Sequence, residues 1–139
     1  MFIGEGLLKM TPAQQTVFSD PAKGIHGNCF TACVASLFDN PIEDVPNFID
    51  FEEWFKVFWE YVNSQGGEVL GMCYSEPTKE DWELFDGYLI VGGGSPRGIM
   101  NGHAVIYKNG QPFFDPHPSG DFLTEVEEYY LIRKPKETP

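Results

Sequence analysis

Apolar positions change their spacing once along this chain, and the change divides it into a helical and an extended part. Residues 1–27 lack clear periodicity and carry Pro12, Pro21, Gly24 and Gly27, which predicts an irregular lead-in with a short strand near Phe2 to Leu8. From Asn28 the stretch NCFTACVASLFDN takes helical spacing: Cys29, Cys33 and Leu37 recur at four-residue intervals, Asn28 can cap the first turn, and Pro41 prevents continuation. A second helix follows the connector PIEDVPNF, with Asp50 and Glu53 read as an acidic capping box. Phe51, Trp54, Phe55, Phe58 and Val62 form its aromatic stripe, read as a core-facing side, and Gly66-Gly67 ends it.

Beyond those glycines the pattern becomes extended. Strands are predicted at Glu68 to Tyr74, Tyr88 to Val91, His103 to Tyr107, Pro112 to Asp115 and Tyr129 to Arg133, with an Asn109-Gly110 turn signal between two of them. Helices first and strands after, with no repeat and no linker, predict one α+β domain over residues 1–139, its N-terminal helices packed on a mostly antiparallel sheet. Residues 134–139 read as a loose tail.

Composition narrows what such a domain does. Nine basic residues stand against 21 acidic ones, a net charge of −12, which opposes the phosphate neutralisation that nucleic-acid binding needs. The apolar runs are too short to span a bilayer, so no membrane insertion is expected. Three cysteines cannot all pair, and no basic leader precedes an apolar stretch, so a cytosolic protein without a disulfide framework is expected.

The cysteines then become candidates for chemistry. A helix start favours the thiolate, because unpaired N–H groups and the helix dipole stabilise negative charge, and Cys29 sits there. Gly27 before it permits a tight turn and close approach of a substrate backbone. Cys33, one turn further in, reads as core, and so does Cys73 in its strand. A Cys-x-x-x-Cys pair inside one helix does not match the usual zinc knuckles, so neither metal nor cofactor is expected.

A thiol site needs a base, and His103, opening the strand HAVIY, is mounted more firmly than His26 in a glycine-bounded loop or His117 between two prolines. Asp115, at the end of the next strand, is placed to orient it. Arg97, in the loop GGGSPRGIMNG, is a candidate bidentate donor to a substrate carboxylate.

These segments, GNCFTAC, GHAVIY and FFDPHPSG, resemble the papain-like cysteine peptidase superfamily, especially its compact leader-processing members and small phage-encoded proteins. The resemblance spans Gln15 to Gly120 and implies a papain-like fold, a peptide or protein substrate, and a thioester on Cys29 resolved by water that His103 activates. It also implies an oxyanion donor upstream of the nucleophile, with Gln15 first and Gln14 second. Gly27, Asn28 and Arg97 are, on the residues themselves, the candidate substrate-binding positions. A catalytically idle domain of the same kind, binding a protein partner, is the competing expectation.

Register decides whether His103 and Asp115 can meet. A two-residue Asn109-Gly110 turn would pair Lys108 with Gln111 and carry Asp115 opposite Ala104, turned away from His103. A three-residue Lys108-Asn109-Gly110 loop would instead set His103 directly opposite Asp115, and that loop, with Gly110 left-handed, is the predicted form.

Overall fold

In the computed structural model, which describes residues 10–84, 87–97 and 102–135, the helical pattern from Asn28 becomes helix α1, Cys29–Leu37. Every residue from Thr31 to Leu37 is buried, and the small side chains Ala32, Ala35 and Ser36 are what let neighbouring segments close around it on all sides. Pro41 does not end it. Asp39 takes a left-handed φ of 56°, and the Asn40 N–H returns to the Ala35 carbonyl at 3.0 Å while that of Asp39 reaches Ser36 at 3.3 Å, a Schellman motif.

Helix α2, Trp54–Ser64, starts later than the proposed capping box. Asp50 instead closes a short 3₁₀ turn, Phe48–Asp50, where its carboxylate accepts from the Asn47 amide, and Glu53 makes no side-chain cap. Phe58 and Val62 are fully buried, whereas Phe51 and Phe55 are exposed, so only part of the aromatic stripe faces the core. Gly66, at φ 80°, ends the helix as expected. A third helix, α3 (Lys79–Leu84), interrupts the strands; its signal was Thr78-x-x-Asp81, and the two side chains cap each other's backbone N–H groups at 2.9 and 3.3 Å.

The strands are β1 (Glu68–Cys73), β2 (Tyr88–Gly93), β3 (His103–Lys108), β4 (Gln111–Phe114) and β5 (Val126–Arg133). They form one antiparallel sheet in the order β1-β5-β2-β3-β4, so the chain is an α+β domain. One sheet face packs Ile90, Ile106, Tyr130 and Ile132 against Cys33, Val34 and Leu37 of α1 and Phe58 and Val62 of α2. The alternate residues Leu89, Val91, Val105 and Tyr129 form a second core with Trp82 of α3. The proposed strand near Phe2 to Leu8 lies outside the described residues. Among the described residues no helix is long and apolar enough to cross a membrane.

The β3–β4 hairpin departs from the expected register. Asn109 and Gly110 take φ of 50° and 84°, and Lys108 pairs with Gln111: the turn has two residues, both left-handed, the form whose twist matches that of the strands. Tyr107 then pairs with Pro112, but Ile106 pairs with Phe114, so Phe113 is an extra residue in β4. This bulge reverses the parity that the two-residue turn had set. Asp115 is returned to the parity of Val105 and His103 instead of that of Ala104.

Candidate active site

Cys29 opens α1, half-buried, among backbone N–H groups without an intrahelical partner. Asn28 does not cap the helix. Its Oδ1 accepts the N–H groups of Thr16 and Val17 at 3.0 and 2.9 Å, its Nδ2 donates to Thr16 Oγ1 at 2.9 Å, and its own N–H bonds the Val17 carbonyl. Asn28 thus ties the lead-in beside Cys29. Gly27 serves the same junction: a Cβ there would lie 2.9 Å from Ser19 Oγ, so its smallness makes room for the lead-in rather than for substrate. Asn28→Ala is expected to cost about 2–3 kcal/mol, from three side-chain hydrogen bonds at roughly 1 kcal/mol each, measured by urea unfolding.

His103 and Asp115 meet through a buried bond, Nε2 to Oδ1 at 2.6 Å, with side chains 3% and 1% exposed. Cys29 lies close enough to the same imidazole to raise its pKa, and the two side chains line the hollows on either side of them together. Asp115 is held in turn by backbone donors, His117 N–H to Oδ1 and Phe122 N–H to Oδ2, both at 2.9 Å. Phe122 sits at φ 58° to make its bond, a conformation that costs a side-chain-bearing residue roughly 1 kcal/mol or more.

Burial pulls the His103 pKa down, but the bond to Asp115, the neighbouring Cys29 and the Asp115 charge outweigh it and raise it to about 9. Burial likewise pushes Asp115 up, yet the bonds from His103, His117 and Phe122 hold it below the usual carboxylate range. The imidazole is therefore a cation at neutral pH, bonded to Asp115 through Nε2 and close to Cys29. Its raised pKa adds stability that is complete below about 6.5 and lost as pH rises through about 9. Any reaction needing the imidazolium as acid should fall off above about pH 9, and Asp115→Asn, which removes the strongest upward influence, should move that limb to lower pH, as a pH–rate profile would record.

Gln15, not Gln14, belongs to the site: it is 7% exposed, whereas Gln14 is exposed. Its backbone N–H donates to the Pro116 carbonyl at 3.0 Å, and its Nε2 donates to the Val17 carbonyl at 2.9 Å, leaving a second amide N–H. Its buried Oε1 has no partner among the described residues. Gln15 lines a hollow of about 210 Å³ with Cys29, His103, His117 and Arg97. Arg97 Nη1 donates to Ser119 Oγ at 3.1 Å.

His117 is the residue that sequence reasoning passed over. Its flanking prolines do not detach it, because its N–H is fixed on Asp115 and its ring packs edge-on to Phe18 at 5.2 Å and 6.3 Å from the His103 ring. Burial, then the Arg97 charge, lowers its pKa, so it stays neutral beside the cationic His103. His26 is exposed. Cys33 is fully buried in the core, and that burial pushes its thiol pKa up. Among the described residues no three metal-binding side chains converge. A larger cleft of about 480 Å³ opens on the other side of Cys29 and His103. No protein-family model, curated protein or solved structure matches this chain.

Proposed function

We propose that this chain is a thiol hydrolase of the papain-like kind, acting on an amide, peptide or isopeptide bond. The observation that carries the reading is the buried His103 held between Cys29 at a helix start and a triply hydrogen-bonded Asp115. Cys29 Sγ attacks the carbonyl carbon as its proton resides on His103. The developing oxyanion is met by the Cys29 backbone N–H and the spare N–H of Gln15, each worth roughly 3 kcal/mol in such a role. His103 then gives its proton to the leaving amine, and a thioester remains on Cys29. Water entering from the cleft, deprotonated by His103, attacks the thioester, releases the acid and restores the thiol. Asp115 keeps the ring oriented throughout.

A catalytically idle domain that binds a protein partner is the second reading. Ile49, Phe51, Phe55 and Trp59 favour it, being 46%, 47%, 37% and 47% exposed, more apolar surface than a monomer needs near one helix. The two part on reactivity. A hydrolase requires Cys29 to react with iodoacetamide faster than Cys33 and Cys73, and a fluorescent activity-probe screen with peptide, ubiquitin-like and cell-wall fragments to yield turnover that Cys29→Ala lacks. Labelling of Cys29 no faster than of Cys73 would remove the hydrolase reading.

A further inference from the structure

The larger cleft beside Cys29 has a wall of unusual composition. Phe30, Trp54 and Tyr130 supply aromatic surface, and Glu127 and Glu128 supply carboxylates. Consecutive residues of a regular strand face opposite sides of a sheet. These two glutamates nevertheless line one cavity, because β5 carries an extra residue here: Gly92 pairs with Glu128 but Gly93 pairs with Val126, leaving Glu127 as the bulge. A bulge re-aims a side chain without disturbing the rest of the strand.

The opposite strand makes the space. A Cβ at Gly92 would lie 3.0 Å from the Glu128 Cγ, and one at Gly93 would collide with the Glu125 carbonyl. Two consecutive glycines and one extra residue thus bring both carboxylates to the cavity that holds the thiol. Glu128 Oε2 accepts the Tyr130 hydroxyl, which fixes its direction, and no ion pair among the described residues involves either glutamate.

The chemistry of this wall selects by charge. Carboxylates beside aromatic faces attract a cation twice, by Coulomb attraction and by the ring quadrupole. An apolar occupant would strip water from the carboxylates without replacing it, and an anion would be repelled. The overall charge of −12 adds long-range attraction of the same sign. We infer that this cleft is the subsite for a cationic side chain, lysine or arginine, next to the bond presented to Cys29. That the cation belongs to a substrate rests on the thiol-hydrolase reading; its recognition does not.

The test compares two small methanethiosulfonates at Cys29, one bearing a trimethylammonium-ethyl group and the other a sulfonatoethyl group, with labelling read by mass spectrometry at the Cys29 peptide. The cationic reagent should react faster. Glu127→Gln, which leaves the Tyr130–Glu128 bond intact, should lower the cation-to-anion rate ratio about threefold, and the double variant Glu127→Gln/Glu128→Gln about tenfold. Glu80→Gln, on α3 at the opposite face of the sheet, makes the same change in net charge and should leave the ratio unaltered. A wild-type ratio in the double variant, or an equal fall in Glu80→Gln, would overturn the inference. Charge preference with no turnover of any peptide would instead fail the hydrolase reading and keep the subsite.

Discussion

Cys29→Ala is expected to remove hydrolysis by at least about 10³-fold, since a nucleophile acts as a unit with its base and its loss leaves only binding and oxyanion stabilisation. The fold should survive, because the thiol is half-buried and belongs to no hydrogen bond that holds the helix. Cys33→Ala should do the reverse. Its sulfur is fully buried, so its removal leaves a small cavity costing about 1–2 kcal/mol, with turnover retained. Measuring kcat beside urea unfolding for both variants separates the roles, and equal activity loss from two folded proteins would exclude Cys29 as the nucleophile.

Inserting one alanine between Phe114 and Asp115 should abolish activity as thoroughly while leaving a folded sheet. Ile106 would still pair with Phe114, but the added residue would stand level with Val105 and Asp115 would come level with Ala104, on the wrong side for His103. The insertion falls just after β4, the edge strand of the sheet, so stability should fall by about 1–3 kcal/mol. With Asp115 gone from its ring, the His103 pKa should drop from about 9, visible by NMR titration. Deleting Phe113 is the control, because it removes the bulge and leaves Asp115 level with Val105. An insertion variant that keeps both its turnover and its His103 titration would show that strand parity does not position the pair.

That hairpin marks where sequence reasoning stopped. Asn109-Gly110 announced a turn, and His103 and Asp115 stood at strand ends where they could meet, but residue spacing alone equated a two-residue turn with a lost pair. A bulge changes parity anywhere along a strand, and FFDP carries no local mark of it. The bulge that aims Glu127 and Glu128 at one cleft is equally silent.

Local chemistry by itself determined a good deal: the α1 span, because Asn28 to Leu37 keeps helical spacing; the end of α2 at Gly66, because a left-handed residue is cheapest there; the five strands, because β-branched and aromatic runs between turn residues have few other uses. Tertiary contacts decided the rest. Asn28 gave up its cap because two lead-in N–H groups needed an acceptor at that junction, and His117 joined the site because its N–H completes Asp115. Such choices depend on which polar groups folding buries together, and every buried group must find its partner wherever the chain has brought it.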